Sequence, residues 1–337
     1  MQAIVYRSYG SPDVLELAQI AAPEPGDDQV LVRVSAAGIN PYDWRFMRGE
    51  PLIARKMIGT GVLRPNRTLI PGSDAAGVIA AVGANVTKFH VGDEVYACVG
   101  MGGLAELVAV GQDAVALKPV NLSFEAAAAV PMAAVTALQS LRDVGGLRAG
   151  QSILVNGASG GVGSFAVQIA RHLGAAEVVG VCSAGNVALV RSLGATEVID
   201  YSTEDFTRSG KHYDLVFDTV GNRSIRSLMH VVAPKGVLVI VGGGGGRVLG
   251  PIGQILRATL MSRFNGGRIR STIARATAEE LDNVTAMIEA GEVTPVIDRT
   301  YPLSKAADAM RYLEGHHAKG KVVITVSSGV QEGSAAS

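Results

Sequence analysis

The stretch from Ile153 to Gly163, Ile-Leu-Val-Asn-Gly-Ala-Ser-Gly-Gly-Val-Gly, constrains this chain more than any other. An apolar run suited to a buried strand, Ile153 to Asn156, enters a glycine-rich turn, and Phe165, Val167, Ile169 and Ala170 follow in a helical pattern. A bare glycine pattern is weak evidence, but Ala158-x-Gly160-x-x-Gly163 set between a strand and a helix is a dinucleotide fingerprint. Gly160 is expected to let the backbone approach a pyrophosphate, and Gly163 to let the helix pack closely on the strand. Free N–H groups at the helix start would meet the anion. Ala158, Ser159, Gly160, Gly161, Val162 and Gly163 are therefore candidate cofactor contacts, against the plainer reading of an ordinary glycine-rich strand-to-helix turn.

The surroundings of this motif repeat its rhythm. Apolar runs at Val178 to Cys182, Val198 to Asp200, Leu215 to Asp218, Val237 to Val241 and Ile269 to Ile273 alternate with helical patterns, which predicts a parallel sheet with helices. The first third reads differently. Val30 to Ala36, Gly77 to Val82, Asp93 to Cys98 and Ala105 to Val110 are short β-rich runs separated by turns such as Pro25-Gly26 and Pro71-Gly72, which predicts a barrel-like β unit. Ser123 can cap a helix that Pro131 should bend or break. Thr277 and Glu280 have capping-box spacing ahead of Leu281, Val284, Met287 and Ile288, and a further helix is expected from Lys305 to Glu314. The last run, Lys321 to Val326, is a strand whose best partner is the opening β unit. The expected fold is α/β: a β-rich domain at 1–121 and 276–326, a dinucleotide-binding domain inserted at 122–275, and a disordered tail at 327–337.

Dinucleotide sites that prefer the form without a 2′-phosphate place an acid near the end of the second strand. Here that place reads Val181-Cys182-Ser183-Ala184-Gly185-Asn186. No carboxylate is present to repel a phosphate. Ser183 and Asn186 can donate to one, and Tyr201 after the third strand can reach the same pocket, so NADPH is expected, with NADH not excluded. As a plainer reading, these are turn residues.

Composition adds limits. Thirty basic and thirty acidic side chains cancel over 337 residues, which removes any global electrostatic argument for a nucleic-acid partner. Cys98 and Cys182 form no CxxC pair, and the chain opens on Met-Gln-Ala-Ile-Val-Tyr without a basic and apolar leader pattern. A cytoplasmic location is expected. Two stretches are locally basic: Arg45 to Arg67, and Thr219 to Ala278, which contains no acid. They read as solvated faces with a field favouring an anionic cofactor, or as a weak contact with an anionic membrane surface, for which 247–264 would form an amphipathic helix.

Seven motifs occur in one order: Ala36 to Trp44 (AAGINPYDW), Pro71 to Gly83 (PGSDAAGVIAAVG), VGDEVYA, AAAVPMAAVTAL, NGASGGVG, VFDTVG and GKVVIT. With them the chain resembles the zinc-independent, quinone oxidoreductase-like branch of the medium-chain dehydrogenase/reductase superfamily over nearly its whole length. The resemblance implies a GroES-like catalytic domain carrying an inserted Rossmann domain, and a homodimer joined through the sixth Rossmann strand. It also implies that Asn40 and Thr136 flank the nicotinamide, and that Asp218, Thr219, Gly221, Gly242 and Gly243 line the cofactor cleft. Zinc-dependent relatives ligate the metal at positions that here look like Asn40 and Ser73, neither a credible ligand once the thiolate and imidazole are missing, so no metal is expected. Asp74 is open to two readings, a site residue or the structural partner of an arginine. Arg45 stands where quinone reductases of this kind often carry tyrosine. The leading expectation is an NADPH-dependent reductase of quinones or α,β-unsaturated carbonyls with Asn40 as a donor to developing charge. An alcohol or aldehyde oxidoreductase and a low-turnover NADPH-binding interaction or nucleic-acid-binding protein are the alternatives.

Overall fold

The computed structural model describes all residues except 53–54, 56–60, 62–64, 242–252, 254–257, 259, 264, 316–317 and 327–337. Strands are numbered in chain order. β1 (Gln2–Val5) and β2 (Glu16–Gln19) form a small antiparallel ribbon. A seven-stranded sheet follows, built from β3 (Gln29–Ile39), β4 (Asp74–Val82), β5 (Glu94–Cys98), β6 (Leu107–Gly111) and β7 (Val115–Leu117). The third sheet has β8 (Ser152–Asn156), β9 (Glu177–Cys182), β10 (Glu197–Asp200), β11 (Tyr213–Asp218), β12 (Val232–Ile240) and β13 (Ile269–Ser271). The chain then returns to the seven-stranded sheet with β14 (Ile297–Pro302) and β15 (Lys321–Thr325).

That return decides the architecture. β15 pairs antiparallel with β3, placing Val322 opposite Ile39 and Thr325 opposite Ala36. The final strand therefore completes a sheet begun almost three hundred residues earlier, as its lack of a following helix predicts. The six-stranded sheet is parallel throughout, in the order β10-β9-β8-β11-β12-β13, which is the doubly wound 3-2-1-4-5-6 arrangement. Its strands are apolar on both faces because helices cover both; Ile153, Leu154 and Val155 are all fully buried. The order reverses between β8 and β11, and a crevice for a ligand is expected at their carboxyl ends.

Local chemistry sets the joints between the sheets. Ser123 Oγ accepts from Ala126 N and starts the helix Phe124–Ala128, and Pro131 at the first position of the next helix, Pro131–Gln139, separates the two. Thr277 likewise caps Ala278–Glu289 through Glu280 N. This last helix ties the sheets together: the Oη of fully buried Tyr96, on β5, donates to the Leu281 carbonyl at 2.7 Å and lies 2.8 Å from Thr285 Oγ1. The helix expected at Lys305 to Glu314 runs over Ala306–Glu314. Gly242, Gly243 and most of the basic segment 247–264 lie outside the described residues, as does much of the loop between Arg45 and Arg67. No described helix is long and apolar enough to cross a membrane.

Candidate active site

Two polar constructions meet where the last strand crosses the glycine-rich loop. The first is the loop itself. Gly157 leaves β8 at φ +86° and its N–H, with that of Ala158, donates to Val181 O on β9, so the turn is pinned to the neighbouring strand. The helix Gly161–His172 begins with Ser164 N donating to Gly160 O, and the N–H groups of Gly161, Val162 and Gly163 precede the start of its ladder. A Cβ on Gly163 would lie 2.0 Å from Gly157 O, so only glycine allows this helix to approach the strand. A Cβ on Gly160 would meet only Gly157 O, at 3.4 Å, leaving the space above this residue open. An uncapped helix start facing open space over a glycine is what a pyrophosphate requires.

At the end of β9 stands a cluster of hydroxyl and amide groups. Asn186 is buried, and its Nδ2 donates to Ser159 Oγ (3.0 Å) and Ser183 Oγ (3.2 Å), while its Oδ1 is buried without a partner. Both serine hydroxyls can donate as well as accept, so a half-turn of the amide would point its NH2 into the vacant direction. The three residues thus form a cluster that can reverse polarity to receive an anion. Tyr201, half-exposed, is held beside it by its N–H on Cys182 O. The three side chains include no carboxylate; the Asp200 carboxylate beside them is taken up by Ser202 N, Ser202 Oγ and Ala184 N.

At the switch point stands Asp218. Its carboxylate is turned inward: Oδ1 accepts from Asn156 Nδ2 (2.8 Å), Val220 N (3.1 Å) and Gly221 N (3.1 Å), and burial pushes its pKa up. Asp218 shapes the loop that presents Thr219 and Gly221, and Thr219 Oγ1 is itself tied to Asn156 O at 2.8 Å. Thr136 is buried on the helix Pro131–Gln139.

The second construction surrounds Asn40. Asn40-Pro41-x-Asp43 is a helix start: Asn40 precedes the helix, Pro41 takes its first position and Asp43 reaches back to accept from Asn40 N at 2.7 Å. Asp43 also accepts from Gly72 N (3.0 Å) and Ser73 Oγ (2.8 Å). Burial, countered by these bonds and assisted by neighbouring Asp74, raises its pKa to about 7. Because the carboxylate secures the backbone, the Asn40 amide is released for other work. Its Nδ2 donates to Ser73 Oγ (2.9 Å) and Asp74 Oδ2 (2.8 Å), and its Oδ1 accepts from Lys321 Nζ.

Two expectations change here. The partner of Asp74 is a lysine, Lys321, at 3.4 Å, not an arginine, and Asp74 Oδ1 further accepts from Met132 N at 3.0 Å. Both amide hydrogens of Asn40 are already engaged, so Asn40 is not a free donor for developing charge. Neither Lys321 nor Asp43 was marked by the sequence motifs as a site residue. Asp74 is fully closed from solvent and desolvation raises its pKa, opposed chiefly by the Lys321 charge. Cys98, opposite Asp74 in the β4–β5 register, has its thiol pushed up to about 12 by burial and by the Asp74 charge, so it stays protonated. Gly320 N donates to Ser159 O at 2.8 Å, and the Lys321 stem passes 3.2 Å from where Gly161 would carry a Cβ, so the two constructions are contiguous.

Comparisons with known proteins agree with this geometry. Residues 26–120 match the family model "Alcohol dehydrogenase GroES-like domain", and residues 193–324 match "Zinc-binding dehydrogenase". The 2-methylene-furan-3-one reductase of Solanum lycopersicum and the chloroplastic NADPH-dependent alkenal/one oxidoreductase of Arabidopsis thaliana are each 38% identical, over 96% of this chain and 79% of theirs. This chain belongs to the quinone oxidoreductase-like branch of the medium-chain dehydrogenase/reductase superfamily. A solved member of that branch, the Escherichia coli quinone oxidoreductase complexed with NADPH, superposes with a TM-score of 0.81 at 25% identity, over 97% of this chain and all of that one. Asn40 and Ser73 bond to each other at 2.9 Å, and among the described residues no group of three or more His, Cys, Asp or Glu side chains could hold a metal ion.

Proposed function

We propose that this oxidoreductase reduces quinones or α,β-unsaturated carbonyls with NADPH and without zinc. The observation that carries the reading is the contact between the glycine-rich loop and the Asn40 cluster, whose metal-ligand positions hold an amide and a hydroxyl bonded to one another at 2.9 Å. NADPH, when bound, supplies hydride from its nicotinamide ring. Gly160 to Gly163 would hold the pyrophosphate, Ser159, Ser183, Asn186 and Tyr201 the 2′-phosphate side, and Thr219 and Gly221 the wall of the cleft. Asn40 and Thr136 would flank the reacting ring. An acceptor whose reduced form is already a stabilised anion, an enolate or a hydroquinone, can take its proton from water, so no dedicated acid is required. Steady-state oxidation of NADPH over a panel of quinones, enones, simple ketones and alcohols with NADP⁺ tests this. Turnover with quinones or enones is expected, and turnover confined to ketones and alcohols would overturn it.

The wider organisation belongs to the same proposal. We divide the chain at 122 and 276, between the two functional constructions. β13 pairs with β12 on one side only among the described strands, and a second copy would cover its free edge. Light scattering at micromolar concentration should give a homodimer. A reducing compartment such as the cytoplasm suits the two free cysteines, Cys98 and Cys182.

A further inference from the structure

The Asn40 amide has its orientation fixed from both sides. Asp74 is an acceptor and selects Nδ2, while Lys321 is only a donor and selects Oδ1. Asn40 therefore presents an oxygen to the cation and no spare hydrogen to anything else. The positive group of the cluster is Lys321. Its side chain is 3% exposed, and its ammonium is held by Asn40 Oδ1, by Asp74 Oδ2 and by Ile39 O, the last two both at 3.4 Å. Two of these three contacts are at the outer limit of a hydrogen bond. The Asp74 carboxylate is answered a second and third time, by Met132 N and Asn40 Nδ2. Lys321 is also the member of the cluster that borders the cofactor loop, through its stem over Gly161 and its neighbour Gly320 on Ser159 O.

We propose that Lys321 is the fixed cation of the reduction, seated by Asn40 and Asp74, whose field stabilises the negative charge that forms on the acceptor oxygen. The inference rests on the reductase reading above. In the step it serves, hydride from NADPH forms a new C–H bond at the β-carbon of an enone, the C=C electron pair shifts toward the carbonyl, and the oxygen becomes an enolate. Water then delivers a proton to the α-carbon, leaving the saturated carbonyl and NADP⁺. With a quinone the hydroquinone anion takes the place of the enolate. Lys321 exchanges no proton with the acceptor in this step and lowers the energy of the anion from a distance, as preorganised charge in a water-excluded site does.

A field effect has a signature that packing lacks: it matters more when the product anion stabilises itself less. The test compares wild type, Lys321→Met, Lys321→Arg and the double variant Lys321→Met/Asp74→Asn on one enone and one quinone. NADPH binding is measured separately by fluorescence titration. Lys321→Met should lower kcat on the enone by about 10²-fold, the size of loss seen for one oxyanion-stabilising group, and on the quinone by less than about 10-fold. KM and the NADPH Kd should stay within about threefold, and Lys321→Arg should restore at least about tenfold of the enone rate. The double variant removes both buried charges together, so it should fold even where Lys321→Met leaves Asp74 uncompensated, and its loss should again be enone-selective but no larger than that of Lys321→Met. Equal losses on both acceptors, or a tenfold weaker NADPH Kd with kcat unchanged, would overturn the proposal; the second result would make Lys321 a cofactor ligand. Wild type that turns over neither acceptor overturns the reductase reading as well, whereas wild type active on both with no selective loss overturns only the role of Lys321.

Discussion

The two inner glycines of the cofactor loop offer a perturbation that separates folding from binding. In Gly163→Ala the new Cβ would sit 2.0 Å from Gly157 O and 2.8 Å from its carbonyl carbon. Ordinary contacts need more than 3 Å, so the helix Gly161–His172 must retreat by about 1 Å from β8. Forced overpacking of this kind costs about 1–3 kcal/mol, and backbone on both sides of the clash puts this site at the upper end. For a protein of this size, with an unfolding entropy of about 0.7 kcal/mol/K, that is a fall in Tm of about 4 °C. Gly160 is different: its φ of −83° and ψ of 177° suit any residue, and an added Cβ meets only Gly157 O at 3.4 Å. Gly160→Ala should therefore leave Tm within about 1 °C of wild type, since its stability change is within about 0.5 kcal/mol. The same methyl would stand in the open space assigned to the pyrophosphate, and the NADPH Kd should rise at least about tenfold, equivalent to about 1.4 kcal/mol. Thermal melts without cofactor and fluorescence titrations with NADPH check both variants. A Gly160→Ala protein that binds NADPH like wild type would refute the placement of the pyrophosphate. A Gly163→Ala protein with an unchanged Tm would refute the close approach of helix and strand.

Other consequences are as direct. Ser183→Asp puts an anion against Asn186 and should cut kcat/KM for NADPH much more than for NADH; equal losses in steady-state assays would place the 2′-phosphate elsewhere. Protein purified without added metal should contain far less than one zinc per chain by elemental analysis, because Asn40 and Ser73 bond to each other. Asp43, pushed up to about 7 by burial, lies above its unfolded value of about 3.9, so its contribution to stability is fully present below about pH 4 and is lost as the pH rises through 7. Urea titrations of wild type and Asp43→Asn at pH 5 and pH 8 should show the wild type losing ground by a few kcal/mol between the two, and a constant difference would show that Asp43 titrates normally.

How far the sequence carried the fold depends on how local each signal was. The strand, the glycine turn and the helix from Ile153 to His172 are adjacent in the chain, and so are Ser123 with Ala126 and Thr277 with Glu280. Hydrogen bonds spanning three residues are legible because spacing fixes them. Ser183 and Asn186 meet Ser159 because doubly wound topology brings the ends of neighbouring strands together. Lys321 escaped because its partners are Asn40 and Asp74, 281 and 247 positions away, and the β15–β3 register that joins them is set by the whole sheet. One signal was available: a lysine opening the otherwise apolar strand Lys321–Thr325 has to be exposed or paired. At Asp218 the local pattern explains the bonds made by its side chain. An acid at a strand end with glycine three residues later is an ordinary turn-forming arrangement, and the carboxylate serves the turn rather than the cleft.

The internal ammonium of Lys321 also bears on which direction of chemistry the cleft can support. A buried lysine–aspartate pair is weak evidence for stability, because well-packed apolar side chains of similar volume often serve the fold as well or better. Its place against the cofactor loop therefore asks for a chemical reason. A divalent metal with an open position binds an alcohol directly and lowers its pKa, which prepares it to lose hydride. The ammonium of Lys321 is a single charge whose hydrogens are already directed at Asn40, Asp74 and Ile39, so it has no vacant position in which to hold and ionise an alcohol. What it can do is lower the energy of an anion formed nearby. That asymmetry favours acceptors in which conjugation has already polarised the oxygen, and it makes enones and quinones the substrates this cluster suits, with alcohols the ones it serves least.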